Sequence, residues 1–201
     1  MNKSQTTPQS QQVTVSPTVV QQSPTPISAA QNNIQGHTTY QYNVFHIGTP
    51  VFQVQIPKDW SAYTEYSQLG KAQVVHFGQS RYEIKPGIVS NIPSLIEIRL
   101  IKDSSLSKQN PENWSSNQRV DIIGGDGQFN WSDTTVGGLP AKVGSFGGVS
   151  CNDRFVLLTQ NNLIFSFHVP VCEDEKTDPL LPVFNHILST FKILNPDPVG
   201  F

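Results

Sequence analysis

Two adjacent asparagines, Asn161-Asn162, lie between two apolar runs, residues 154–160 and 163–169, and this arrangement constrains the fold more than any other stretch. Asparagine tolerates the left-handed conformation that a two-residue hairpin loop demands, so the runs pair as an antiparallel hairpin. The register follows directly. Gln160 faces Leu163, Leu158 faces Phe165, Val156 faces Phe167, and without a bulge Cys151 comes opposite Cys172. Pairs next to such a turn are hydrogen-bonded and alternate outward, which makes Cys151 and Cys172 a non-hydrogen-bonded pair. Their Cα atoms would lie roughly 4.5 Å apart, within reach of a disulfide. These are the chain's two cysteines and they form no C-x-x-C motif, so a Cys151–Cys172 disulfide is the expectation. Pro170 would face Asp153 with its missing N–H turned away from the hairpin partner, which requires only that no further strand pairs there.

Period-two alternation marks other strands. Phe52, Val54 and Ile56 share one face of residues 52–56, Pro57 ends the strand, and Lys58-Asp59 turns the chain to Trp60. Residues 62–67 and 72–77 flank Gln68-Leu69-Gly70-Lys71 and read as a hairpin. In residues 94–101, Ile96, Ile98 and Leu100 form a purely apolar face for the core, with Leu95, Glu97, Arg99 and Ile101 opposite. Residues 128–131 and 141–146 are strand candidates separated by Gly137-Gly138-Leu139-Pro140.

Helix signals are fewer. Asn110-Pro111-Glu112 has the cap, first-turn proline and acid of a short helix start. Phe184, Ile187, Leu188 and Phe191 fall at i, i+3, i+4 and i+7, which predicts an amphipathic helix beginning near Pro179 or Pro182 with Asp178 as a cap. Many strands with one long and one short helix give an α+β class: a mostly antiparallel β-sheet with flanking helices.

Residues 1–39 are dominated by Gln, Ser, Thr, Pro and Asn, with Lys3 the one charged side chain and no Phe, Trp or Tyr. Such a stretch buries too little apolar area to offset chain entropy. Ser16-Pro17-Thr18 and Ser23-Pro24-Thr25-Pro26 resemble extended extracellular stalks. The expected layout is a disordered stalk over 1–39, an α+β domain over 40–194 and a tail over 195–201. No run approaches the ~20 apolar residues that span a bilayer. A stalk of this kind commonly follows a signal or anchor segment, so the domain is expected outside the cytoplasm, at a cell surface or in a periplasm-like space, held by an N-terminal segment absent from this sequence. A net charge of −2 with scattered Lys and Arg disfavours nucleic acid as a partner.

Three local patterns carry a resemblance. They are the strand leading into Pro57-Lys58-Asp59-Trp60, the Gly138-Leu139-Pro140-Ala141 step before a strand, and the closing Phe184-x-x-Ile187-Leu188-x-Thr190-Phe191 helix. Over about residues 40–193 the chain resembles the PsbP-like superfamily, which includes the extrinsic P protein of photosystem II, Mog-type Ran-binding proteins and bacterial DcrB-like lipoproteins. The resemblance implies an α-β-α sandwich and a non-enzymatic accessory or binding role, in bacteria often exported and tethered. It carries over no functional residue.

The chemistry-bearing residues are sparse. In Gly144-Ser145-Phe146-Gly147-Gly148 the serine sits one place too early for a nucleophile elbow. Cys151 with His168 or His186 would make a thiolate dyad, set against the disulfide. Among His37, His46, His76, His168 and His186 no two are spaced i, i+2 or i, i+4, so no local chelating pair exists and only long-range pairing stays open; His76 and His168, on strands, read as ordinary surface or half-buried histidines. Glu173, Asp174, Glu175 and Asp178 form the densest acidic stretch, a candidate Ca²⁺ or Mn²⁺ loop that lacks the D-x-D-x-D-G spacing; a solvated loop is the plainer reading. Asn113-Trp114-Ser115 and Asn130-Trp131-Ser132 are glycosylation sequons. If Trp114 and Trp131 were exposed they would offer an aromatic platform to glycan or peptide, with core burial as the competing reading.

These observations favour a non-catalytic, exported, tethered accessory domain that binds a protein or surface polymer. The alternatives are an enzyme with a dispersed hydrolase-type site and a Ca²⁺- or Mn²⁺-dependent binding module. An enzyme requires a deep pocket lined by convergent titratable groups, whereas a binding module requires a shallow apolar or aromatic patch.

Overall fold

The computed structural model describes residues 36–44, 48–67, 72–79, 96–102, 131–147, 151–172 and 174–198. Among these, ten strands and one helix follow in the order β1 (His37–Asn43), β2 (Pro50–Pro57), β3 (Trp60–Ser67), β4 (Ala72–Gln79), β5 (Ile96–Lys102), β6 (Ser132–Val136), β7 (Leu139–Gly147), β8 (Asn152–Gln160), β9 (Leu163–Val171), α1 (Leu180–Thr190) and β10 (Lys192–Ile193). Seven strands form one sheet in the order β3-β4-β5-β9-β8-β7-β6, and β1-β2-β10 form a second. Every pairing is antiparallel.

The β8–β9 hairpin keeps its register without a bulge from Gln160–Leu163 to Asn152–Val171, and Asn161 takes a φ of 54° in the loop. The next pair outward is the Cys151–Cys172 disulfide, with Cα atoms 4.1 Å apart, the close spacing of a non-hydrogen-bonded pair. Pro170 lies opposite Asp153, and among the described residues the ladder from β5 onto the other edge of β9 ends at Glu97–His168, so the missing N–H interrupts none of the described ladder bonds. Because the crosslink closes the open end of a long hairpin, the Cys151→Ser/Cys172→Ser double variant is expected to lose about 2–3 kcal/mol. The change would be read as a lower denaturant midpoint than that of the oxidised protein.

In β5, Ile96, Ile98 and Leu100 are fully buried, as their alternation requires. They share a sheet face with Val75 and Phe77 of β4, Phe165 and Phe167 of β9, and Val156 and Leu158 of β8. Onto this face pack Phe52 and Val54 of β2 and Phe184, Ile187 and Leu188 of α1, closing the main core. Each such side chain contributes about 1.5–3 kcal/mol when taken from water. The opposite face carries a smaller buried cluster of Ala72, Val74, Ile101, Phe155, Leu157 and Ile164. The result is a mostly antiparallel two-sheet arrangement in which the one helix among the described residues lies against the main core, so the expected helix-flanked sandwich is seen only in part; the short helix expected at Asn110-Pro111-Glu112 falls outside the described residues.

Three departures from expectation bear on how the chain packs. The strand before the paired glycines is Ser132–Val136 rather than 128–131, of which 128–130 lie outside the described residues. Thr134 and Val136 turn inward there, and Gly137 and Gly138 adopt φ of 55° and 82°, the pair of left-handed residues a type I′ loop needs. Leu139 and Pro140 therefore belong to β7. Pro140 sits opposite Thr135 in a non-hydrogen-bonded position, so its nitrogen faces β8, where the ladder starts only at Lys142–Leu157. Secondly, β1 begins at His37 within the stretch expected to be stalk, because residues 37–39 pair with 55–57 of β2. Thirdly, part of the expected tail is docked: Asn195 donates its backbone N–H to Val51, Asn161 bonds the Pro196 carbonyl, and Pro198 is buried.

Helix α1 starts where Asp178 caps it, with Asp178 Oδ1 accepting the Leu180 N–H at 2.8 Å. It ends one residue before Phe191, which is extended yet 1% exposed. At that end the Gly137 N–H donates to the Leu188 carbonyl at 2.8 Å, satisfying one of the orphan acceptors of the last turn.

Candidate functional site

Since Ile96, Ile98 and Leu100 point into the main core, Glu97 and Arg99 must point to the other face of the sheet. The lateral register then sets Tyr63, His76, Glu97, His168 and Phe155 in one row across β3, β4, β5, β9 and β8. Glu65 and Asp153, each two residues from a member of the row on the same strand, flank it.

Glu97 is the hub. Its Oε2 accepts from the Arg99 guanidinium at 3.0 Å and lies 3.8 Å from His168 Nδ1, and its Oε1 lies 3.3 Å from His76 Nδ1. The His76 approach is off-line for a hydrogen bond, and the His168 distance is too long for one, so both attractions are of charge rather than of hydrogen-bond geometry. At the outer ends, His76 Nε2 meets Glu65 Oε1 at 3.2 Å and His168 Nε2 meets Asp153 Oδ1 at 3.0 Å. The His168 ring stacks on Phe155 with centroids 4.5 Å apart, and His76 on Tyr63 at 6.0 Å. Side-chain exposure is 13% for His76, 18% for Glu97 and 19% for His168, so little solvent screens the centre of the row.

Burial by itself would push the Glu97 carboxyl up, yet His168, His76 and the Arg99 charge hold it well below the usual carboxylate range. For His76, burial works to lower the value, and Glu97 and then Glu65 more than reverse it. His168 behaves alike, with Asp153 and Glu97 overcoming its desolvation. Both imidazoles therefore hold protons more tightly than a free histidine. Among the described residues, three positive groups face three carboxylates when both are protonated, and with both neutral only Arg99 offsets Glu65, Glu97 and Asp153.

A second histidine pair lies at the β1–α1 junction, where the rings of His37 and His186 stack at 3.9 Å and His186 meets Gln55 at 3.2 Å. Burial and then the His37 charge lower the His186 value. Among the described residues, no three of His, Cys, Asp and Glu are placed to hold a metal ion.

Of the four residues expected in the acidic loop, Asp174, Glu175 and Asp178 are described. Both Asp178 oxygens are occupied by backbone, Oδ1 by Leu180 N–H and Oδ2 by Cys172 N–H at 3.2 Å. Asp174 closes its own turn by accepting from Lys176 N, and exposed Glu175 approaches Arg154 at 4.0 Å. Glu173 lies outside the described residues, as does Trp114. Trp131 is partly buried against the second apolar cluster rather than presented freely to solvent. Cys151 is bonded to Cys172, so the thiolate dyad does not exist. A cleft of about 370 Å³ opens where β7 and β8 part beside Pro140, bordered by Lys142, Asp133, Leu157 and Thr159, and Lys142 pairs with Asp133 of the neighbouring strand at 2.8 Å.

No protein-family model matches the chain, and no curated protein matches it significantly. Solved structures do. The solution structure of the cyanobacterial PsbP (CyanoP) from Synechocystis sp. PCC 6803 superposes with a TM-score of 0.52 at 13% identity, over 78% of this chain and 92% of that one. The chain has the PsbP-like fold. LpqN of Mycobacterium tuberculosis, a protein involved in cell envelope biogenesis, aligns at a TM-score of 0.43 and 16% identity, over 85% of this chain and 99% of its own. With this PsbP-like frame the origin of the charged row is plain: each strand's faces are readable from alternation, but the β4–β5 and β5–β9 pairings that bring His76, Glu97 and His168 together are long-range. The one local signal was Glu97-x-Arg99 on the non-core face of an otherwise apolar strand.

Proposed function

We propose that this PsbP-like chain is a non-catalytic accessory domain of the cell envelope that works outside the cytoplasm and binds a protein or surface polymer, tethered through the polar stretch that precedes it. The observation that carries this reading is the Cys151–Cys172 disulfide, a crosslink of a kind that forms and persists in oxidising compartments. The site supports a binding rather than a catalytic role. Its titratable groups spend their polar atoms on one another across a sheet face, and the cleft beside Pro140 is bordered by an ion pair and apolar side chains instead of by that row. Among the described residues, no helix is long and apolar enough to cross a membrane.

Alkylation in intact cells expressing the natural gene tests the proposal. Cys151 and Cys172 should resist the reagent until reduced, and a membrane-impermeant amine label should reach the chain. Two freely alkylated thiols on folded protein in cells would remove the compartment argument, and the proposal with it.

A further inference from the structure

Acid and base alternate along the outer row, and each base stands between two acids from different strands. His76 of β4 lies between Glu65 of β3 and Glu97 of β5; His168 of β9 lies between Glu97 of β5 and Asp153 of β8. A neutral imidazole has one N–H, so it satisfies one carboxylate and turns a lone pair toward the other. An imidazolium has an N–H and positive charge on both sides, so it bonds the outer carboxylate through Nε2 and attracts Glu97 by charge from the Nδ1 side. The placement of four carboxylate approaches around two rings therefore fits the protonated form.

We infer that His76 and His168 form a proton-operated clasp across β3, β4, β5, β9 and β8: protonated, each ring bridges carboxylates of neighbouring strands, and deprotonated, each sets a lone pair against one of them and loosens this face of the sheet. Among the described residues, the charged and titratable groups that meet the two rings are Glu65 and Tyr63 on β3, Glu97 on β5 and Asp153 on β8, with Arg99 on β5 sharing Glu97. Arg99 opposes protonation by its charge but occupies only Oε2 and leaves Oε1 to His76. Low exposure of His76, Glu97 and His168 limits screening at the centre of the row, whereas Glu65 and Asp153 at its ends are 41% and 29% exposed.

The sign follows from linkage. Folded-state histidine values are raised above the ordinary 6.5, so their stabilisation is complete below pH 6.5 and is lost as pH rises through the folded values. Glu97 is depressed below 4.5, so its contribution is complete above pH 4.5 and is lost as pH falls through its folded value. The clasp is tightest between these limits. A domain in mildly acidic surroundings is thus firmer across this face than one in alkaline surroundings, whatever partner it binds.

The test is a histidine NMR titration of the full chain, assigned with His76→Gln and His168→Gln, alongside denaturant unfolding from pH 5.5 to 8.5. Both imidazoles should titrate above 6.5, and the unfolding equilibrium constant should rise above pH 6.5 by up to about tenfold per pH unit for each proton the fold retains. Glu97→Gln should move both titrations downward together and flatten that rise. Either imidazole titrating at or below 6.5 in the wild-type chain overturns the inference, as does a Glu97→Gln protein whose two titrations are unmoved. Should Glu97→Gln fail to fold, the wild-type titration and pH slope decide alone.

Discussion

Gly137→Ala is expected to cost at least ~3 kcal/mol of folding stability, and Gly138→Ala only about 1–2 kcal/mol. Both glycines occupy the left-handed region in the same two-residue loop, so conformational strain penalises alanine at each in the same way. Their surroundings differ. A Cβ on Gly138 meets nothing within 4 Å, whereas one on Gly137 would overlap the backbone carbonyl oxygen of Phe191. Backbone cannot swing aside as a flexible side chain can, so either the loop or the end of α1 must retreat. Retreat breaks the bond from Gly137 N–H to the Leu188 carbonyl and leaves that acceptor unpaired at the helix end. Urea unfolding of the two variants separates the contributions, and equal losses would mean that turn conformation, rather than contact with the helix, sets the cost.

That contact was invisible in the sequence, and the reason is general to this chain. Where partners are neighbours along the chain, alternation and turn chemistry sufficed: Asn161-Asn162 fixed the β8–β9 register closely enough to place Cys151 against Cys172, and the 62–67 and 72–77 runs paired as read. The faces of β5 were equally readable, because three isoleucine and leucine residues alternate with polar ones. Ser132–Val136 was missed because its inward positions are Thr134 and Val136, too slight an apolar signal beside Trp131, and because Pro140 looked like a break although its nitrogen faces a side with no ladder. The charged row failed differently. Each of Glu65, His76, Glu97, His168 and Asp153 has an ordinary local setting, and only lateral strand order gives them one another. Asp178 was read correctly as a cap and also, by its charge, as a metal ligand; its second oxygen turns out to hold the Cys172 amide, tying the disulfide to the helix start.

At the other end of α1, Phe191→Ala is expected to lose about 3–5 kcal/mol, the range for removing a buried aromatic ring whose cavity cannot collapse. Phe191 follows the helix yet continues its apolar face, so the spacing that predicted the helix also chose the residue that anchors it. Its ring lies 5.4 Å from Phe52 of β2, 5.1 Å from Phe165 and 5.0 Å from Phe167 of β9, and Phe52 in turn meets Phe165 at 6.1 Å. One side chain therefore joins the three-stranded sheet to the centre of the seven-stranded sheet, and edge-to-face contacts with Phe165 and Phe167 add about 0.5–1.5 kcal/mol apiece to the burial itself. None of the three partners can move in to fill the space, because each is pinned by its own ladder. Phe191→Leu keeps much of the volume and should cost clearly less. Unfolding curves for the two variants, with amide exchange followed at Gly137, would show whether the sheets are joined here: a loss below ~1.5 kcal/mol for alanine, or an unchanged Gly137 exchange rate, would place the join elsewhere in the core.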